Sequence, residues 1–405
     1  MSVLIPRGLN RENAKELLAV YGLCLANLLY MVSSVSIAEM CIFFAPVEKS
    51  TVMLTMTLPC LTSLLGVNLI PALQARFSLK RITEGALLLG IAAGALCLLL
   101  YRSLAGVLSG CGVMGVAYGV FTTIYPLLAA DVCSTKDQRA TVMANCTAMV
   151  QVGRLLALFI GGLLADIAWH LMYLVYAIYI VSLLLVALFL KDRGPHPKPP
   201  KEKSEYVRLL ASGSFVYVAV TAALYLVLYY TVSTYASLYI QGYGLGVPST
   251  TGTLSSVASF VAIFTALLSA AVAKRTKGYT SPLSFVLLGI SLLLPGMTKS
   301  LFAIGLALIL ASAAKSQQMP TVIRQLSAIP DDRLRASAMA LKETFVNIGY
   351  FLSPTITAFL GRALGDGSPS AVYFGSGACA LAIGVLMIAI EYLREKKGTE
   401  SLTIR

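Results

Sequence analysis

The sequence has few of the residues that build zinc sites and disulfide frameworks. It holds only two histidines, His170 and His196, and its eight cysteines stand singly with no Cys-x-x-Cys pair. A structural zinc site needs four such ligands at close spacing, and a disulfide-stapled domain needs cysteines at dense intervals, so neither is indicated. No nucleophile–base spacing is present either. We therefore expect no metal, no other cofactor and no enzymatic activity.

Charge is also scarce. Charged residues make up 12% of the 405 positions, hydrophobic residues make up 58%, and the mean hydropathy is +0.81. Soluble domains carry about 25% charged residues, so a soluble protein is excluded. The composition predicts an integral membrane protein that has the lipid bilayer as its surroundings.

Long apolar runs define the predicted fold class, which is all-α. A membrane-spanning helix needs about 20 largely apolar residues. Twelve runs meet this requirement, at 17–37, 52–73, 82–101, 104–129, 141–165, 168–190, 209–239, 250–273, 281–297, 301–323, 336–360 and 371–392. They predict twelve transmembrane helices in two six-helix bundles, residues 1–190 and 209–405. The stretch 191–208 between them is rich in proline and lysine, which indicates a solvated linker.

The distribution of lysine and arginine predicts the orientation. If the N-terminus is cytoplasmic, 24 of the 31 basic residues fall in cytoplasmic segments and only four fall outside. Positive charge collects on the cytoplasmic side of membrane proteins, so topology accounts for most of the net charge of +13 and no nucleic-acid partner is expected. The first fifteen residues or so are interpreted as a cytoplasmic leader. Both termini and the linker are predicted to be cytoplasmic, in a multi-pass protein of the cell membrane.

The two halves are related by an internal repeat. The stretch 139–166 returns at 335–362 with a constant offset of 196 residues. The offset superimposes six identical pairs: Arg139 and Arg335, Ala140 and Ala336, Met143 and Met339, Ala144 and Ala340, Val150 and Val346, and Gly153 and Gly349. The repeat predicts that helix five of the first half corresponds to helix eleven of the second.

Two motifs carry a resemblance to a known family. The loop at 71–81 after helix two keeps Leu73, Arg76 and a basic end, but it lacks an aspartate and two glycines of the family's pattern. Helix five has small residues at the family's antiporter spacing without its Gly-Pro, at Ala144, Gly153, Ala157, Gly161 and Gly162. With two six-helix halves and a basic linker, the chain resembles the major facilitator superfamily. The resemblance implies a monomeric secondary transporter that works by alternating access around a central cavity.

Ionisable and polar residues inside the predicted helices are the candidate site residues. Charges at such depth cost about 2.5–3.5 kcal/mol each to insert, so they usually line a polar path or form pairs. Residues i, i+4 and i+7 share one helix face, which gives two stripes related by the repeat. The stripes are Thr147, Gln151 and Arg154 on helix five, and Glu343, Asn347 and Tyr350 on helix eleven. We predict that they face a common cavity.

Three other helices add to the predicted site. Helix ten contributes Lys315, helix four Tyr118 and helix one Asn27. The predicted substrate-binding set is therefore Arg154, Lys315, Gln151, Tyr118, Asn27, Asn347 and Tyr350, and the predicted coupling residues are Glu343 and Lys342. Two alternatives stay open: Lys315 and Glu343 form a purely structural ion pair, or Lys342 extends to the cytoplasmic surface. The tyrosines of helix seven are interpreted as packing residues.

The charges of the predicted cavity indicate the substrate. Arg154 and Lys315 against Glu343, taken here as the single deep carboxylate, leave the cavity positive, which favours a small organic anion such as a carboxylate or an organophosphate. Protons or a counter-substrate are the expected coupling partners. The alternative is a proton-coupled exporter of lipophilic compounds or drugs. Methionine- and tyrosine-rich helices favour the exporter, and the missing proline and the cationic cavity disfavour it.

Overall fold

The computed structural model describes residues 11–133, 135–195, 203–327, 329 and 331–396. Most of the predicted leader, residues 196–202 of the predicted linker and the last nine residues lie outside the described residues. The chain divides into two compact units. Unit 1 comprises residues 1–200 together with 248–256, and unit 2 comprises residues 201–247 and 257–405.

Unit 1 consists of helices joined by short loops. Its α-helices are α1 (Arg11–Leu25), α2 (Ile37–Phe43), α3 (Lys49–Gln74), α4 (Leu79–Leu99), α5 (Leu104–Val132), α6 (Lys136–Ile167) and α7 (Ile178–Phe189). Two 3-10 helices, Leu29–Val35 and Trp169–Ala177, lie before α2 and α7. The hydroxyl groups of Ser78, Ser103 and Thr135 accept backbone N–H bonds at the starts of α4, α5 and α6, which caps these helices.

Unit 2 is built in the same way. Its helices are α8 (Lys203–Ala211), α9 (Gly213–Thr234), α10 (Ala236–Gly242), α11 (Pro248–Leu267), α12 (Ser269–Thr276), α13 (Thr280–Met297), α14 (Leu301–Ser327), α15 (Asp332–Ala363) and α16 (Pro369–Lys396). A short 3-10 helix, Lys277–Tyr279, joins α12 to α13. The first nine residues of α11 belong to unit 1.

The predicted all-α membrane fold is confirmed. Within the described ranges, eleven helical segments are long and apolar enough to cross a membrane. The remaining predicted span corresponds to α15, an unbroken helix of 32 residues whose apolar character is reduced by Lys342, Glu343 and Asn347. No strand occurs in the described part of the chain, where the one isolated β-bridge joins Ser78 to Pro195.

Helix one is broken where the sequence predicts a continuous span. Its α-helix ends at Leu25, a turn covers 26–28, and a 3-10 helix begins at Leu29. At this point α6 approaches so closely that a Cβ atom on Gly153 would lie 1.9 Å from the carbonyl oxygen of Leu25. The break therefore coincides with a backbone-to-backbone contact that only glycine permits.

The equivalent glycine of the repeat makes an equivalent contact in unit 2. A Cβ atom on Gly349 of α15 would lie 3.0 Å from the carbonyl oxygen of Ala223 in α9. Within unit 1, α6 thus packs at Gly153 on the end of α1, and within unit 2, α15 packs at Gly349 on α9. Small residues at these positions let helix backbones approach closely.

The first two turns of α11 pack on α6. The carboxylate of Asp166 accepts a hydrogen bond from the Ser249 N–H at 2.9 Å, and the Ser256 hydroxyl donates to the Leu155 carbonyl at 3.0 Å. Between them, a Cβ atom on Gly252 would lie 2.3 Å from a carbonyl oxygen of α6. This segment of α11 is therefore held in unit 1 by direct contact between the two backbones.

Part of the predicted linker is folded. Residues 203–208, predicted to be solvated chain, form the beginning of α8, which contacts α9 and α15. Leu209 is fully buried on the apolar side of α8, and Glu205 accepts a hydrogen bond from the Ser337 hydroxyl. The amphipathic character of this short segment explains why it packs on unit 2.

Candidate functional site

A buried arginine lies at the middle of α6. Arg154 is 7% exposed, and its Nε atom has no hydrogen-bond partner. Among the side chains that the structure describes, no carboxylate forms a salt bridge with it. Since α6 has no acidic residue close to Arg154 in sequence, its own helix supplies no neighbouring counter-charge.

Two further polar groups near Arg154 lack partners. Gln151 lies one turn earlier on the same face of α6, and its Oε1 atom is buried and unpaired. Asn27, 2% exposed, lies in the turn that interrupts helix one, and its Nδ2 atom is also unpaired. Arg154 and Asn27 flank the point where Gly153 meets Leu25. A cation and an acceptor thus share one face of α6, and a donor lies in the turn that interrupts helix one.

An aromatic pair joins helix one to α5. The rings of Tyr30 and Tyr118 lie 4.7 Å apart, centroid to centroid. The Tyr30 hydroxyl makes a hydrogen bond of 3.6 Å with the sulfur of Cys60 on α3. Because Tyr30 follows Asn27 by three residues, this pair places the predicted site residue Tyr118 next to the interrupted segment of helix one.

Lys315 in unit 2 lies against tyrosine rings. Its Nζ atom is 4.6 Å from the ring centroid of Tyr229 on α9 and 6.0 Å from that of Tyr350 on α15. The Tyr350 ring in turn lies 4.5 Å from the ring of Tyr230. The negative faces of aromatic rings attract ammonium groups, so Tyr229 of α9 positions this lysine as well as packing the core. The sequence interpretation missed this role of Tyr229.

Lys342 and Glu343 form an ion pair with each other. Lys342 is 5% exposed and donates to the Glu343 carboxylate, whose side chain is 56% exposed. Glu343 is therefore not the deeply buried carboxylate that the sequence analysis predicted. The flexible stem of Lys342 brings its ammonium group beside its neighbour, although the two residues start about 100° apart on the helix.

The side chain of Asn347 forms a hydrogen bond within its own helix, α15. Its side-chain Nδ2 group donates to the backbone carbonyl of Glu343, one turn earlier, at 2.9 Å. The bond fixes the amide on the same side of α15 as the start of the Lys342–Glu343 pair. In unit 2, Lys315 thus lies near Tyr350, and Lys342, Glu343 and Asn347 occupy the two preceding turns of α15. The other predicted site residues, Arg154, Gln151, Asn27 and Tyr118, lie in unit 1.

A second charged cluster lies where α4 begins and α7 ends. Asp192 pairs with Arg81 at 3.6 Å, although Arg81 belongs to the loop that lacks the family's aspartate. The Ser78 hydroxyl, the Gly194 N–H and the nearby Arg81 together hold the pKa of Asp192 below its ordinary value. An acid that follows helix six thus provides the charge partner that the loop itself lacks.

The same region contains a buried acid. The Glu16 side chain on α1 is only 1% exposed and receives a hydrogen bond of 2.5 Å from the guanidinium of Arg193. Lys191 pairs with Glu12 at 2.6 Å, one turn earlier on α1. These ion pairs fix the segment after α7 against the start of α1.

Comparison with known proteins decides the family. A family model described as Major Facilitator Superfamily matches residues 18–283 of the 405. The chain belongs to the major facilitator superfamily. It is a multi-pass membrane protein with the fold of secondary transporters, as the resemblance implied. No curated protein sequence matches it.

Solved structures of major facilitator transporters share the fold at low sequence identity. A bacterial homologue of the human lysosomal transporter Spinster, in an inward-facing and unoccupied conformation, has a TM-score of 0.72 at 15% identity, covering 95% of this chain and 96% of its own. A D-xylose–proton symporter gives 0.70 at 13%, with 96% and 98% covered. A peptide transporter in complex with sulfate gives 0.74 at 13%, with 96% of each chain covered.

Proposed function

We propose that this major facilitator protein transports a small organic anion, a carboxylate or an organophosphate, by alternating access. The observation that carries the proposal is the buried guanidinium of Arg154, whose Nε atom has no partner. An arginine at the centre of a membrane helix costs about 2.5–3.5 kcal/mol to insert. An anionic substrate would supply the missing counter-charge and offset this cost when it binds.

The chemistry of the group around Arg154 suits a carboxylate or phosphate. A guanidinium forms two parallel hydrogen bonds with either group, which fixes the orientation of the anion. The Nδ2 group of Asn27 is a further donor, and the Oε1 atom of Gln151 accepts from a hydroxyl group elsewhere on the substrate. We assign substrate binding in unit 1 to these three residues, with Tyr118 as an aromatic neighbour.

Unit 2 contributes its own residues to the proposed transport machinery. Lys315 adds a second cation, held on the ring of Tyr229 beside Tyr350, and Asn347 adds a polar group on α15. The ion pair of Lys342 and Glu343 is the proposed coupling element, because protonation of Glu343 would release the positive charge of Lys342. This fold is known in a proton symporter of D-xylose and in a peptide transporter that binds sulfate, which supports both proton coupling and anion binding.

The proposal includes a place in the cell. We assign the protein to the cell membrane as a monomer, with both termini and the linker in the cytoplasm, on the basis of its lysine and arginine distribution. A single cysteine at residues 191–195, in a variant without the eight native cysteines, should react with an impermeant thiol reagent only after the cells are made permeable. Labelling of intact cells at these positions would reverse the proposed orientation.

The main test compares two arginine-to-lysine substitutions. Arg154→Lys keeps the charge but removes the bidentate fork, so anion affinity should fall at least about tenfold. Arg102→Lys is the matched control, because Arg102 is exposed and donates from Nε to the Tyr101 hydroxyl. Its affinity should stay at the wild-type value.

Binding is measured on purified protein by isothermal titration, after a thermal-shift screen of carboxylates, organophosphates, sugars, organic cations and lipophilic drugs. Uptake into proteoliposomes under an imposed proton gradient then tests coupling. Normal anion binding by the Arg154→Lys variant would contradict the role of the guanidinium. A screen whose hits are all neutral or cationic would overturn the anion proposal and favour the exporter.

A further inference from the structure

A cavity lies in unit 2, apart from the group around Lys315. It has a volume of about 300 Å³, opens at one end, and is lined by residues of α9, α12, α13, α14 and α16. None of the residues proposed for transport lines it. Its walls include Gln318 and Arg324 from α14 and Lys277 from the segment before α13. The cavity therefore lies at the basic end of unit 2, one helical turn or more from Lys315.

The floor of this cavity contains an amide with no partner. Gln318 is 0% exposed, and neither its Nε2 nor its Oε1 atom makes a hydrogen bond. Leaving a buried donor or acceptor unpaired is unfavourable, typically by about 1–3 kcal/mol for each group. An amide with both functions unpaired in a cavity wall is the feature expected of a group that binds a ligand through a donor and an acceptor together.

Hydroxyl groups beside Gln318 are oriented as acceptors. The Thr321 hydroxyl donates to the Gln317 carbonyl at 2.8 Å, and the Thr280 hydroxyl donates to the Lys277 carbonyl at 2.9 Å. Each hydroxyl has used its only hydrogen on the backbone, and each oxygen already has one further partner, the Arg324 guanidinium for Thr321 and the Thr276 hydroxyl for Thr280. One lone pair on each oxygen is therefore left for a ligand donor. Together with Gln318, the floor matches a ligand that carries several hydroxyl groups.

The rim of the cavity is charged. Arg324 and Lys277 are exposed, and the carboxylate of Glu391 lines the same opening next to Gly278. Arg324 is positioned by a hydrogen bond of 2.7 Å from its guanidinium to the Thr321 hydroxyl. Two cations against one carboxylate leave the rim with a net positive charge, which favours an oxyanion at the mouth while neutral groups reach the floor.

We propose that this cavity binds a phosphorylated polyol, with the polyol hydroxyls on Gln318 and the threonines and the phosphate between Arg324 and Lys277. Arginine and lysine are the usual protein ligands of phosphate esters. The volume lies at the small end of ligand pockets and fits a group of the size of glycerol phosphate. This chemistry belongs both to a free phosphorylated polyol and to the headgroup of phosphatidylglycerol.

The test uses the full-length purified protein and three variants. Gln318→Leu removes both unpaired amide atoms at nearly constant volume, so the fold is retained and the unliganded protein should not melt earlier. Arg324→Gln removes the phosphate contact at the exposed rim. Gln317→Leu is the matched control, since Gln317 is the preceding residue of α14, donates to the Thr265 carbonyl at 2.9 Å and does not line the cavity.

Thermal unfolding is followed with sn-glycerol 3-phosphate, inorganic phosphate and glycerol, and again in nanodiscs of phosphatidylglycerol or of phosphatidylcholine. We expect sn-glycerol 3-phosphate or phosphatidylglycerol to raise the melting temperature of the wild type and of Gln317→Leu. The midpoint concentration of the stabilising ligand should rise at least tenfold in Gln318→Leu and in Arg324→Gln.

The outcomes separate the sources and the alternatives. A shift with sn-glycerol 3-phosphate supports a free ligand, whereas a shift with phosphatidylglycerol nanodiscs alone supports a lipid headgroup. Equal stabilisation by inorganic phosphate and sn-glycerol 3-phosphate, unaffected by Gln318→Leu, would overturn the polyol contact. If no phosphorylated ligand stabilises the wild type, the cavity holds only water and the proposal is wrong.

Discussion

Substitution of the two repeat-related glycines by alanine should have very different effects. A Cβ atom at position 153 would lie 1.9 Å from the Leu25 carbonyl oxygen, about 1.5 Å inside ordinary van der Waals contact. The same atom at position 349 would lie 3.0 Å from the Ala223 carbonyl oxygen, only a few tenths of an ångström too close. The same glycine-to-alanine substitution can thus be made at two repeat-related positions that differ in the space available for a Cβ atom.

The expected magnitudes follow from these distances. Overpacking of a well-packed site costs about 1–3 kcal/mol and occasionally more, and backbone cannot rotate away as a side chain can, so Gly153→Ala belongs at the upper end. Alanine is favoured over glycine in a helix by about 0.5–1 kcal/mol, which offsets most of the small strain of Gly349→Ala. Gly153→Ala should therefore destabilise unit 1, and Gly349→Ala should be close to neutral.

Thermal unfolding of the purified proteins in the same detergent measures the difference. For units of this size, about 1 kcal/mol corresponds to about 2–4 °C, so Gly153→Ala should melt at least about 5 °C below Gly349→Ala. Gly153→Ala should also weaken ligand binding at Arg154, because α6 must move away from helix one at the adjacent residue. Equal melting temperatures would show that the close contact does not constrain α6.

Three further outcomes follow from other contacts. Gly252→Ala places a Cβ atom 2.3 Å from a carbonyl oxygen of α6 and should lower the melting temperature by an amount equivalent to about 1–3 kcal/mol in thermal unfolding. Glu343→Gln leaves the buried Lys342 without its carboxylate and should cost about 1–2 kcal/mol, discounted because Glu343 is largely exposed; the double variant with Lys342→Met should recover it in the same assay. The Ser78 hydrogen bond lowers the pKa of Asp192 in the folded protein. The ionised Asp192 therefore stabilises the fold above about pH 4, the ordinary value for aspartate, and this stabilisation is lost as the pH falls through the folded-state pKa. Asp192→Asn should accordingly flatten the acid limb of a plot of melting temperature against pH.

The helices were predictable from the sequence, but the break in helix one was not. The length and hydropathy of a span can be calculated from its own residues, whatever the packing of the helices. No proline marks positions 26–28. The break coincides with a contact to Gly153, which lies more than 100 positions away in the sequence. The residues of helix one alone do not indicate which distant residue they contact.

The candidate site shows the same limit. Depth in the helix identified Arg154 correctly as a buried cation, because insertion cost depends mainly on position along the span. Depth gave the wrong environment for Glu343, whose side chain is largely exposed and pairs with the neighbouring Lys342. The contact between Lys315 and the ring of Tyr229 could not be predicted either. A tyrosine that packs a core and one that holds a cation have the same sequence pattern.

The division of α11 between the two units restricts how chimaeric transporters can be built. Its first nine residues, Pro248–Ser256, pack with the first two hundred residues, and the remainder of the helix belongs to unit 2. An exchange of halves between relatives that is cut only in the linker would pair α6 of one parent with the α11 segment of the other. At Gly252, where the backbones nearly touch, such a hybrid has no room for a larger residue. A functional exchange must therefore carry Pro248–Ser256 together with the N-terminal half.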